Sequence, residues 1–240
     1  MSAPVIRRSP VHSATVVDST TLTPRMRRVT LVCPALAGTA VQPAQDVELL
    51  LREASGRRVK RRYTIRHFRP ETGELDVDVV LHGDGPGARW GATAQPGDPV
   101  EFQGPRGKLE LRPAPWHLLV GDESALPALA AIAEALAAAG EPALAVIEVQ
   151  DAAEQQPVGT SDVRWVHRGE AAPGGSELLS AELTGLRPPP AARAYLLGES
   201  RSMIALRGLV EATGVAHENV FVKGYWNVGR PDRLAGRAPG

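Results

Sequence analysis

Across residues 74–81 the side chains alternate. Leu75, Val77, Val79 and Leu81 fall on one face, and Asp76, Asp78, Val80 and His82 on the other. Period two marks a strand with one face in a core. Shorter β-rich runs cover 12–18, 26–32, 46–52, 61–68 and 100–103, and in 46–52 Val47, Leu49 and Leu51 alternate. Turn residues separate them: Thr23-Pro24, Glu71-Thr72-Gly73 and the stretch 94–99. Five or six short antiparallel strands, with one short helix starting near Ala88, predict a small closed β-barrel over residues 1–113.

Near Pro113-Ala114-Pro115 the period changes. Apolar strands at 117–121, 144–149, 164–167, 193–198 and 220–223 alternate with helical stretches at 128–139, 176–183 and 201–212. Strand–helix alternation predicts a parallel sheet covered by helices over residues 114–240. Ser124 is placed to cap the first of these helices, and Gly140 to end it. The fold class expected is therefore a two-domain β plus α/β chain: a six-stranded antiparallel barrel, then an α/β domain of the kind that binds nicotinamide dinucleotides. No G-x-G-x-x-G fingerprint follows the first parallel strand; Gly121-Asp122-Glu123-Ser124 stands in its place. In an open parallel sheet, ligands bind at the carboxyl ends of strands whatever the motif. The turns after Gly121 and Gly198 are thus the expected dinucleotide contacts.

Composition narrows the function classes. The 240 residues carry 27 Lys+Arg and 27 Asp+Glu, a balance that gives no overall field for nucleic acid. Cys33 is the sole cysteine, which excludes an intrachain disulfide and a cysteine-based cluster, and no metal site is expected. No run reaches the length of a membrane span and no signal peptide opens the chain, so the expectation is a cytoplasmic protein without membrane contact, monomeric by default.

Candidate chemistry gathers in two stretches. Arg61-Arg62-Tyr63-Thr64-Ile65-Arg66 reads as one strand, with Arg62, Thr64 and Arg66 on one side and Tyr63 and Ile65 on the other. Guanidinium groups and a hydroxyl on one face suit a phosphorylated ligand. Twenty residues on, His82-Gly83-Asp84-Gly85-Pro86-Gly87-Ala88-Arg89-Trp90 ends a strand and starts a helix, whose free amides would receive a pyrophosphate. Taken singly, the first is also an ordinary half-exposed strand and the second an ordinary loop.

Together, and in this order with Gly121-Asp122-Glu123-Ser124-Ala125-Leu126-Pro127 and Lys223-Gly224-Tyr225-Trp226, the stretches resemble the motifs of the siderophore-interacting proteins. These are ferric-siderophore reductases within the ferredoxin–NADP reductase-like group, and the four motifs span most of the chain. The resemblance implies bound FAD. Arg62 would pair with its pyrophosphate, Tyr63 would lie against the isoalloxazine ring, Thr64 would approach N5, and Arg66 would reach the phosphate side or the cleft. Tyr63 and Thr64 are thus the catalytic candidates. His82 and Gly83 would line the ribityl and nucleotide part, with Gly85, Pro86, Gly87 and Ala88 forming the turn and helix start. Asp122, Ser124 and Ala125 would lie at the mouth between domains, Glu199 at the nicotinamide or ribose, and Trp226 beside the flavin. Glu199 reads equally as a carboxylate favoured by a helix N-terminus, and Trp90 as a core aromatic.

By the same resemblance the substrate is a ferric siderophore, with NAD(P)H or a reduced ferredoxin as donor. An anionic chelate would call for a positive cleft, with Lys60, Lys223 and Arg230 as its candidates. Asn227 stands where the family pattern carries arginine. Two other readings remain open: an electron-transfer component serving a protein partner, and a siderophore-binding module without catalysis.

Overall fold

The computed structural model describes residues 10–53, 55–160 and 162–229. Strands β1 (Val11–Thr23), β2 (Met26–Val32), β3 (Asp46–Arg52), β4 (Arg58–Arg69), β5 (Glu74–Val80) and β6 (Pro99–Arg106) pair antiparallel. Their order is β1-β2-β5-β4-β3-β6, and β6 returns to β1 to close the barrel. Inward positions of the alternating strands fill it: Val29, Leu31, Val47, Leu49, Leu75, Val77 and Phe102 are all fully buried. A helix, α1 (Pro86–Thr93), follows β5, as expected.

On β5 the polar face is buried as well. Asp76 and Asp78 are covered by partners on neighbouring strands, Thr30 at 2.8 Å and Arg28 at 2.7 and 2.8 Å. These paired carboxylates close the outside of the barrel without any break in the alternation. β1 runs five residues past the expected end, because Ser19, Thr20 and Thr21 pair with Val29, Arg28 and Arg27. That outer stretch faces solvent, so it carries no apolar period to read.

The second half contains β7 (His117–Asp122), α2 (Leu126–Ala138), β8 (Ala143–Val149), β9 (Asp162–His167), α3 (Glu177–Leu183), β10 (Arg193–Glu199), α4 (Ser200–Ala212) and β11 (Val220–Trp226). Its five strands are parallel in the order β11-β10-β7-β8-β9. Both faces are covered. Leu119, Ala145, Ile147 and Leu197 pack under α2, while Leu118, Val120, Val146 and Leu196 pack under α3 and α4. Burial on both sides is why these strands read as unbroken apolar runs. Ser124 does not cap α2: the helix starts one residue later, and the Ser124 hydroxyl turns back to Asp122. Among the described residues no helix is long and apolar enough to cross a membrane, and no group of His, Cys, Asp or Glu is arranged to hold a metal.

Polar contacts join the two halves. Arg66 on β4 forms a two-pronged pair with Glu134 on α2, at 2.7 and 2.5 Å. Buried Thr23 donates to Glu154 at 2.6 Å, and Lys223 on β11 reaches Asp46 on β3 at 3.0 Å. With the domains held this way, the middle of β4 and the start of α1 face the carboxyl ends of β7 and β11.

Candidate functional site

Between the domains lies a cleft of about 970 Å³. Its barrel wall is built from β4, the turn after β5 and the start of α1: Arg61, Arg62, Tyr63 and Thr64, then His82 to Ala88. No side chain caps α1, whose N-cap is Gly85 and whose first residue is Pro86, so its leading amides stay available. Helix and strand meet tightly. A Cβ on Gly87 would sit 2.1 Å from the Tyr63 hydroxyl, so only glycine lets α1 lie on that phenol. The Tyr63 ring is also tilted against Trp90 at 6.0 Å, and burial pushes its phenol up, which keeps it neutral. Arg62 has one weak partner, Glu48 at 3.5 Å.

Asp122, Glu123, Ser124, the segment 168–173 and the end of β11 form the opposite wall. Here the polar groups are engaged with each other. Asp122 accepts from Ser124, from the Glu199 amide and from the Trp226 indole. Burial pushes its carboxyl up against the pull of those donors. Glu123 pairs in two-pronged fashion with Arg168, which in turn lies 3.9 Å from Glu148. Glu148 is buried among Asp122, Glu123 and Glu177, and burial raises its carboxyl to about 7. Lys223 is held by Asp46, with its ammonium 5.0 Å from the centre of the Tyr225 ring. The Tyr225 hydroxyl crosses to Thr64, 3.4 Å away.

Most of the expected residues converge here: Arg62, Tyr63, Thr64, His82, Gly83, Gly85, Pro86, Gly87, Ala88, Asp122, Ser124, Lys223 and Trp226 all line the cleft. Others go elsewhere. Arg66 lies at a register shift between Ile65 and His67, which turns it out of the cleft and onto Glu134. Ala125 is fully buried at the N-terminus of α2, packed in the core. Glu199 is 1% exposed and caps α4 through the Ser202 amide at 2.8 Å. Lys60 points outside the barrel, bound to Glu48 at 2.8 Å and Gln103 at 2.7 Å. Trp90 packs against the barrel core. Arg230 lies outside the described residues.

The expected positive cleft is not found among the described residues. Among the described lining residues five Lys and Arg face six carboxylates. The sequence reading missed Arg25, Arg168 and the segment 169–173, for which no motif gave a signal. It also chose Trp226 over Tyr225, although Tyr225 is the aromatic that reaches Thr64.

The donor set fits a flavin dinucleotide. An uncapped helix start and the Arg62 guanidinium suit the diphosphate, and Tyr63, Thr64 and Tyr225 offer a ring and hydroxyls for the planar head. The absence of a Cβ at Gly87 lets α1 close on Tyr63, and the volume is at the upper end for a small-molecule site.

Comparison with known proteins agrees with this geometry. Residues 52–109 match the model described as the siderophore-interacting FAD-binding domain, and residues 114–229 the model described as siderophore-interacting protein. A ferric vibriobactin reductase of Vibrio cholerae is 32% identical over 183 residues, covering 72% of this chain and 66% of that relative. The crystal structure of a siderophore utilization protein from T. fusca superposes with a TM-score of 0.85 at 33% identity, covering 94% of this chain and 96% of the other. Phthalate dioxygenase reductase, at 18% identity and a TM-score of 0.67, covering 89% of this chain and 68% of its own, shares the two-domain fold.

Proposed function

The chain belongs to the siderophore-interacting protein family, and from that premise we propose that this flavin oxidoreductase reduces Fe(III) in a ferric siderophore to Fe(II). In this reading NAD(P)H is the donor, the chelate is the substrate, and iron is released in the cytoplasm. One observation carries the proposal. The Arg-Tyr-Thr strand, the uncapped start of α1 and the Lys-Gly-Tyr-Trp strand, far apart in sequence, line a single cleft.

Bound FAD would supply hydride acceptance and one-electron transfer, so that one nicotinamide oxidation would balance the reduction of two Fe(III) centres with one proton released. The chain's own groups bind and orient. Arg62 and the free amides of α1 would hold the diphosphate end. Tyr63, pinned by Gly87 and Trp90, fixes the ring end from the barrel side. Thr64 and Tyr225 set a pair of hydroxyls across the cleft, and the raised phenol of Tyr225 stays protonated. Asp46 pairs with Lys223, so that ammonium is already engaged within the protein.

The test is the visible spectrum of the purified protein under anaerobic conditions. Expected is a flavin band that bleaches with NADPH and returns when a ferric siderophore is added. A band that ignores nicotinamides but bleaches with reduced ferredoxin would keep the reductase and change its donor. Absence of any flavin band after incubation with FAD would overturn the proposal.

A further inference from the structure

Pairing between β10 and β11 slips at the carboxyl end of the sheet. Gly198 faces Gly224, but Glu199 faces Trp226, so Tyr225 is an extra residue with no partner on β10. A bulge of this kind re-aims a side chain. Here the redirected side chain crosses the cleft, and its hydroxyl stops 3.4 Å from Thr64 Oγ1.

One oxygen holds both members of the slipped pair. Asp122 Oδ2 accepts the Glu199 amide at 2.8 Å and the Trp226 indole Nε1–H at 2.9 Å. The other oxygen, Oδ1, is anchored on the Ser124 amide at 2.9 Å and the Ser124 hydroxyl at 2.5 Å. Gly198 makes room for this, since a Cβ there would lie 2.7 Å from Asp122 Oδ2. Four donors occupy the lone pairs of the carboxylate and leave little for a ligand. The position lines the cleft, yet its chemistry is directed inward.

We propose that Asp122 is a positioning residue: its carboxylate clamps the Glu199–Trp226 pair and so fixes the bulge that aims Tyr225 at Thr64. Asp122 touches neither cofactor nor substrate in this role. It acts through the strand end, and Tyr225 makes the contact. Only the flavin-binding arm of the test rests on the function proposed above.

Asp122→Ala is the informative substitution, because it removes both carboxylate oxygens. The Glu199 amide and the Trp226 indole then lose their shared acceptor. In the flavin-free protein the Trp226 indole N–H should exchange with D2O about tenfold faster, the size of one lost hydrogen bond. Barrel amides should keep their protection. FAD affinity should fall by about tenfold on the same ground, but by less than about twofold in a Tyr225→Ala background, because coupled sites do not add. Unchanged indole exchange, or a loss of affinity that adds in full to Tyr225→Ala, would overturn the proposal. If Asp122→Ala does not fold, Trp226→Phe removes a single donor, and its affinity loss should likewise vanish in the Tyr225→Ala background. The exchange arm needs neither flavin nor chelate, so a protein that reduces no siderophore would still decide it.

Discussion

The two walls of the cleft use the same kinds of residue to opposite ends. On the barrel wall, Arg62 and the leading amides of α1 have weak partners or none within the fold and are directed at the space between the domains. On the facing wall, Asp122, Glu123, Arg168 and Lys223 are all close to oppositely charged or donating partners inside the protein, and Glu148 lies buried behind Arg168. A polar group lining a cleft is thus a ligand group only if its hydrogen bonds are not already made. The first wall should respond to substitution in cofactor affinity, and the second in stability and in the placing of Tyr225.

The sharpest break of this contrast is Arg62→Ala. A guanidinium released from a diphosphate forfeits charge-assisted hydrogen bonds of about 2 to 3 kcal/mol, so FAD affinity should fall roughly 30- to 150-fold. Fold stability should change little, because among the described residues its one ion-pair partner is Glu48 at 3.5 Å, which keeps Lys60 and Arg106. Fluorescence titration of the flavin-free variant with FAD reads the first, and urea unfolding the second. A variant that binds FAD normally but unfolds early would reverse the roles of the two walls.

Glu148 makes the complementary case behind the other wall. Its carboxyl is raised from 4.5 to about 7, first by burial. Between those values the folded protein holds a proton that the unfolded chain has lost, so stability falls as pH rises through this window and levels off above it. Glu148→Gln removes that dependence. The variant should match the parent near pH 4.5 and exceed it above pH 7 by on the order of 2 to 3 kcal/mol, since one unit is worth about 1.4. Urea midpoints at pH 5 and pH 8 check this, and a variant less stable at pH 8 would sink it.

How much of this was legible depended on the reach of each signal. Alternation on β5 and apolar runs at β7 and β8 announced the two architectures, because periodicity is local. The barrel-wall motif was legible for the same reason: Arg62, Tyr63 and Thr64 are consecutive, and their direction follows from the strand. Arg66 broke that rule because a register shift at 65–67 turned it, and a shift is made by pairing with β5, not by the residue itself. Ala125 was read as a ligand group on motif position alone, and Glu199 equally as a ligand group or as a carboxylate at a helix N-terminus, the second of which the structure shows. Whether a carboxylate caps its own helix or faces a cofactor is settled by where β10 ends relative to β7. That is a tertiary fact. Tyr225 was passed over because the bulge that aims it exists only in the β10–β11 register.

Lys60 gives the smallest effect and sharpens the contrast from the barrel's outer surface. It lies two residues from Arg62 on β4, which places it on the same side of the strand. Even so, its ammonium reaches along the outside to Glu48 and Gln103 and not into the cleft. Its side chain is 51% exposed, so solvent screens the pair and its worth is within about 1 kcal/mol. Glu48 keeps Arg106 at 2.5 Å when Lys60 is removed, so no buried carboxylate is stranded. Lys60→Ala should therefore leave FAD affinity unchanged, keep KM for a ferric chelate within about twofold, and cost less than about 0.5 kcal/mol of stability, as surface substitutions do. Steady-state kinetics with an anionic chelate is the measurement to make. A clear rise in KM would mean that substrate approaches over the outer face of β4, and the cleft alone would no longer define the site.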